Sequence, residues 1–182
     1  MSESPASLCE LANSIAQGEV SAVDALDQMV RRAQEAHAQT NCVATWRIDE
    51  ARRDAEAADS ALKRGERLGP LHGVPISIKE CFDLAGTPST MGLPNRAKLL
   101  EKQDGEVVRR LRQAGAVIFA KTNVPQLMIS HDTANPLFGV TTNPWDATRT
   151  PGGSSGGEAA LIASGGSLVG VGSDLGGSIR VP

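Results

Sequence analysis

The chain has 182 residues, 40% of them hydrophobic and 21% charged, with a formal net charge of −3. That is one domain's length, without the basic excess that a nucleic-acid-binding surface needs. It contains no run of about eighteen apolar residues, so no transmembrane helix is expected, and Met1-Ser-Glu-Ser-Pro5 lacks the basic start and apolar core of a secretory leader.

Residues 4–17 read as a short helix with Leu8, Leu11 and Ile15 on one side. Ser21-Ala-Val-Asp24 has the form of a capping box, and Val23, Leu26, Val30 and Ala33 then recur at helical spacing. Cys42 to Trp46 is a short strand. Residues 49–65 form a charged helix with Ala51, Ala55, Ala58 and Leu62 on its inner stripe, and Gly69 to Gly73 is a loop. The period then changes. Pro75 to Lys79 reads as a strand, and Gly105 to Gln113 as a helix with Val107, Val108 and Leu111 inward, stopped at Gly115. Ala116 to Lys121 is a strand, and a helix is expected after Pro125. Ser155 opens another helix through Ala163, and Leu168 to Gly172 is a buried strand. Strands alternating with helices point to an α/β fold. Residues 1–66 form an N-terminal helical arm packed on residues 67–182, a mixed, mainly parallel sheet flanked by helices, all within one domain. Cys9, Cys42 and Cys81 make no C-x-x-C pair, and their odd number argues against a disulfide framework. They are expected to be reduced and buried, in a cytoplasmic setting.

Chemistry concentrates in two glycine-rich turns, Pro151-Gly-Gly-Ser-Ser-Gly-Gly-Glu158 and Gly172-Ser-Asp-Leu-Gly-Gly-Ser-Ile-Arg180. A flexible linker does not explain them, because patterned helix and strand flank them. Neither G-x-G-x-x-G nor G-x-x-x-x-G-K-[ST] occurs. Gly152 to Gly156 matches G-x-S-x-G, but that arrangement needs a downstream histidine, and none follows His131. Ser60-Ala-Leu-Lys63 matches S-x-x-K without the companion motifs. A serine nucleophile still needs a base. Lys79, inside an apolar strand, can be one, since burial lowers a lysine's pKa and keeps it neutral.

The motif text resembles the amidase signature family over residues 70–182. It comprises Gly73-Val-Pro-Ile-Ser-Ile-Lys79-Glu, Lys121-Thr-Asn-Val-Pro-Gln126, Asn143-Pro-Trp145 and the two glycine-rich turns. Asn123 to Ser130 and Ala134-Asn-Pro-Leu-Phe138 look closer to fatty acid amide hydrolases than to the amidase subunit of tRNA amidotransferases. The resemblance implies part of an amidase signature fold and a serine amidohydrolase. Ser178 corresponds to the nucleophile, Ser154 to a bridging serine and Lys79 to the base, with a cis peptide between Gly153 and Ser154. Ser154 can then donate to neutral Lys79 while accepting from Ser178. The backbone N–H groups of Leu175, Gly176, Gly177 and Ser178 correspond to the oxyanion hole. Asp174 and Arg180 flank that loop and are expected to brace it through charge-assisted hydrogen bonds. Ser155 is expected to cap a helix, Ser130 to line the pocket, and Ser77 to help orient Lys79; His131 and Cys81 are read as structural. No metal or organic cofactor is implied, and the partner is a small-molecule amide. Two other readings share these motifs: a glutaminase-type A subunit of a tRNA-dependent amidotransferase, and an inactive, C-terminally truncated fragment, since family members are much longer. An unpaired strand edge near residue 182 would leave room for a second copy, so a homodimer is a further expectation.

Overall fold

The computed structural model describes residues 7–182. Helix α1 (Leu8–Ala16) starts where Ser7 and Glu10 cap each other's backbone N–H groups, and Leu11 and Ile15 face the core. Residues 4–6 of the expected first helix lie outside the described residues. Helix α2 (Ala22–Thr40) opens on Ser21, whose hydroxyl accepts the Asp24 N–H at 2.9 Å and donates to the Asp24 carboxylate at 2.7 Å. This is half of the expected box. The Ala22 and Val23 N–H groups go instead to Asp59, far along the chain. Asn41, in the left-handed region at φ 55°, turns the chain into strand β1 (Val43–Trp46). Helix α3 (Ile48–Lys63), which carries Asp59, buries Ala51, Ala55, Ala58 and Ala61, while Leu62 is half-buried. A stripe of small side chains lets α3 pack closely on α2.

Strand β2 (Pro75–Lys79), helix α4 (Glu106–Gln113) and strand β3 (Val117–Thr122) follow. Next come a short pairing of β4 (Ala134–Asn135) with β5 (Gly139–Val140), then helix α5 (Gly156–Ala163) and strand β6 (Gly170–Val171). The main sheet runs β1-β3-β2-β6. β1 is antiparallel to β3, whereas β2 is parallel to both β3 and β6. The sheet is therefore mixed and mainly parallel, and residues 7–66 supply one edge strand as well as three helices. β2 lies between two neighbours and every residue of β2 and β3 is buried, as expected of parallel strands covered on both faces. Among the described residues, no helix is long and apolar enough to cross a membrane.

Three local expectations are corrected. Val107 is exposed and only Val108 of α4 is buried, because the Glu106, Arg109 and Arg110 face of this short helix points to water. After Pro125 there is a single 3-10 turn, Gln126–Met128, with Leu127 and Met128 at φ 56° and 59°. The Leu127 N–H, which a first helical turn would leave unpaired, is taken by the Met91 carbonyl at 2.8 Å, and the left-handed backbone of Leu127 and Met128 does not continue a right-handed helix. All three cysteines are free, but Cys42 alone is fully buried; Cys81 is half-buried and Cys9 exposed.

Candidate active site

The site is built where β2 ends beneath the start of α5. Side chains on a strand alternate between faces, so Ser77 and Lys79 share the side opposite Ile76 and Ile78. Lys79 is fully buried. Its Nζ lies 2.7 Å from Ser154 Oγ, 2.9 Å from Ser173 Oγ and 3.3 Å from the Ser173 carbonyl. Burial pushes its pKa below the ordinary lysine value, against the opposing pull of Cys81, Asp174 and Glu158. Three contacts suit either ionisation state. An ammonium donates to all three, while a neutral amine donates two protons to Ser173 and accepts one from Ser154. Only the second arrangement lets Lys79 act as a base.

Ser154 stands in a turn with a cis Gly153–Ser154 peptide bond. Gly153 is packed so tightly that a Cβ there would land on the Asp132 carbonyl oxygen. Ser155 is the N-cap residue of α5, but its side chain makes no capping bond. Its hydroxyl donates instead to the Ser173 carbonyl at 3.2 Å and accepts the Ser173 N–H at 3.4 Å. The expected capping role is thus replaced by a grip on the loop that also touches Lys79.

Asp174 organises the second glycine-rich loop. Its carboxylate accepts from the N–H groups of Gly177, Ile179 and Arg180, and from two guanidinium nitrogens of Arg180 at 2.8 and 3.1 Å. The Arg180 guanidinium, with these backbone donors, holds the Asp174 carboxyl well below the usual carboxylate range. The expected brace is present. It also corrects the expected oxyanion donors, since the Gly177 N–H is already committed to Asp174. The N–H groups of Leu175, Gly176 and Ser178 have no hydrogen-bond partner among the described residues. The Ser178 carbonyl accepts the Ser155 N–H at 3.0 Å, tying the two turns together. Among the described residues, no hydrogen bond joins the Ser178 hydroxyl to Ser154.

Ser130 does not enter this group. It is exposed and its hydroxyl accepts the Asp132 N–H at 3.4 Å, although its carbonyl lies against Gly153. Two participants were not anticipated from the sequence. Ser173 gives Lys79 two of its three contacts, and Glu158 accepts from the hydroxyl of Ser77 and, at 2.5 Å, from that of Thr122. Both stand inside the motif text, but only the folded register brings them to β2. Cys81 sits beside them, its Sγ 3.9 Å from Ser173 Oγ, with burial pushing the thiol up. A second buried lysine, Lys121, donates to the Pro88 carbonyl at 2.7 Å and to Ser89 Oγ at 3.1 Å. Touching neither glycine-rich turn, it braces a loop rather than competing with Lys79 as the base. Among the described residues, no cluster of His, Cys, Asp or Glu is arranged to hold a metal ion. A shallow cavity of about 160 Å³ opens beside the site, lined in part by Ser155, Gly172 and Ile179.

A family model described as Amidase matches residues 24–182. The match starts well upstream of residue 70, where recognisable motif text begins. The chain is 46% identical over 175 residues to fatty-acid amide hydrolase 1 of Sus scrofa, covering 96% of this chain and 29% of that protein. It is 49% identical over 154 residues to amidase 1 of Gibberella moniliformis, covering 84% of this chain and 30% of the relative. A solved fatty acid amide hydrolase superposes with a TM-score of 0.93 at 40% identity, over 96% of this chain and 31% of the other. The chain therefore spans about 30% of the length of these relatives.

Proposed function

We propose a serine amidohydrolase on one premise: this chain belongs to the amidase signature family. Ser178 is the nucleophile, Ser154 the proton bridge and Lys79 the base. An amide carbonyl sits over the Ser178 hydroxyl. As Ser178 Oγ bonds to the carbonyl carbon, its proton passes to Ser154 and the Ser154 proton passes to neutral Lys79. The negative charge that develops on the carbonyl oxygen is met by the N–H groups of Leu175, Gly176 and Ser178. When the tetrahedral intermediate collapses, the carbon–nitrogen bond breaks and the leaving amine takes the proton back through Ser154. Water then attacks the ester on Ser178 with the same relay as base, and the carboxylic acid departs.

The observation that carries this reading is the buried Lys79 Nζ at 2.7 Å from Ser154 Oγ. A buried lysine is held toward its neutral form, and its partner is the serine of a turn that is itself bonded to the Ser178 loop. The name of the pig relative makes fatty-acid amides the first substrates to offer. The test is labelling of the purified chain with a fluorophosphonate, mapped by peptide mass, beside Ser178→Ala. Label on Ser178 that vanishes in the variant is the expected result. A folded chain that takes no label at Ser178 would end the reading for this chain.

A further inference from the structure

Glu158 belongs to no step of that relay, yet its contacts decide how the relay is held. It lies four residues beyond Ser154, in the first turn of α5, and is buried. One carboxylate oxygen accepts from Ser77 on β2, and the other from Thr122 on β3 at 2.5 Å. The β6 backbone closes over the same group, for a Cβ at Gly170 would collide with Glu158 Oε1. Gly170 is the register partner of Ser77, and Thr122 that of Lys79. A single carboxyl thus touches three adjacent strands.

The spacing of these contacts matters. Ser77 and Lys79 are two residues apart on one strand face, about 6.6 Å at strand rise. Ser154 and Glu158 are four residues apart, Ser154 in the turn that leads into α5 and Glu158 in its first turn. The contacts Ser154–Lys79 and Glu158–Ser77 therefore form two rungs running in opposite chain directions. The Glu158–Ser77 rung ties α5 itself to β2, and the Ser154–Lys79 rung ties down the turn that leads into it.

We propose that Glu158 is a positioning residue whose carboxylate locks α5 to β2, β3 and β6 and so sets the Ser154–Lys79 contact. Its importance for catalysis rests on the relay described above, but the contact it sets can be measured without turnover. The titratable groups around it are Lys79 on β2 and Cys42 just ahead of β1; β3 presents Thr122, and β6 presents only glycine.

The experiment is a pH titration of the Lys79 side chain by NMR in the full chain carrying 13C-labelled lysine, with the signal assigned by its loss in Lys79→Arg. Glu158→Gln removes the negative charge that favours the ammonium form, so the Lys79 midpoint should fall by about one pH unit, as for loss of a nearby opposite charge. Ser77→Ala keeps the carboxylate but removes one rung, and should move the Lys79 signal. Glu158→Asp keeps the charge but shortens the reach, and should not restore the native signal. A Lys79 titration that superimposes on that of the unaltered chain in folded Glu158→Gln overturns the proposal. Should that variant fail to fold, an unchanged Lys79 signal in Ser77→Ala overturns it instead. Absence of fluorophosphonate label on Ser178, with Lys79 still responding to Glu158→Gln, would end the hydrolase reading and leave the positioning role standing.

Discussion

Glu158→Gln is predicted to stabilise the fold at alkaline pH, even as it loosens the site. Burial pushes the Glu158 carboxyl from 4.5 up to about 7, against the opposing pull of the Ser77 and Thr122 hydroxyls and of Lys79. A raised carboxyl pKa means that the folded chain binds the proton more tightly than the unfolded chain. The associated stability is complete below the unfolded value near 4.5, falls as pH rises, and is lost above about 7. At about 1.4 kcal/mol per pH unit, the displacement from 4.5 to about 7 corresponds to about 3 kcal/mol between acid and alkaline conditions. Glutamine never ionises. Its amide can accept from one hydroxyl and donate to the other, and Thr122 Oγ1, whose single proton can turn to the Ile78 carbonyl at 3.3 Å, is suited to accept. The assay is urea unfolding of both chains from pH 4.5 to 8.5, read as the difference between them, so that groups common to both largely cancel. That difference should move toward the Gln variant by about 3 kcal/mol as pH rises across the window. A difference that stays flat with pH would refute the reasoning, because it would mean that the carboxyl ionises as easily in the folded chain as in the unfolded one.

Lys79→Ala should lower kcat/KM for an anilide by at least about 100-fold and for a matched ester by less, because only the amine must leave with a proton. Equal losses for the two substrates, measured side by side, would remove Lys79 from the leaving-group step. Asp174→Asn weakens the bidentate contact with Arg180 that shapes the Ser178 loop. The rate of fluorophosphonate labelling should drop by about 10²–10³, the scale of a lost oxyanion donor, with little change in the unfolding midpoint; an unchanged labelling rate would show that the loop holds its shape without this brace. Gly153→Ala drives a Cβ onto the Asp132 carbonyl. It should destabilise the chain by about 1–3 kcal/mol, as overpacking does, and a neutral result in denaturant titration would mean that the Asp132 segment yields freely.

Some of this was legible before the structure. β2 is a run of apolar residues interrupted only on one face, and a lysine at its end, with no histidine after the Ser154 turn to compete, singles itself out as a base. Glycines flanking Ser154 announce a turn that approaches other backbone closely. What could not be read is whatever depends on partners far along the chain. A helix after Pro125 follows from local preference, but Leu127 and Met128 adopt the left-handed region, with the Leu127 N–H held by the distant Met91 carbonyl. Ser155 has the chemistry of a cap and the location of one, yet Ser173 outcompetes the helix for its hydroxyl. Gly177 was expected to donate to a substrate oxygen, and a carboxylate three residues earlier takes that N–H. Glu158 and Ser173 stood in plain view within the motifs. Their meaning comes from the sheet register, which places Gly170 beside Ser77 and Thr122 beside Lys79.

The alternation within β2 also bears on how the chain is made. Lys79 meets Ser154 75 residues later and Ser173 94 residues later. At about 5–20 residues per second, synthesis of that intervening stretch takes roughly 5–20 s. Throughout that interval β2 lacks its β6 neighbour, which leaves one edge of this short β-prone segment unpaired. Ser77 and Lys79 break that segment with a hydroxyl and a charge, the device by which sequences guard unavoidable apolar strands. The polarity later enclosed beneath α5 is thus also of the kind that interrupts an apolar strand before its neighbours have been made.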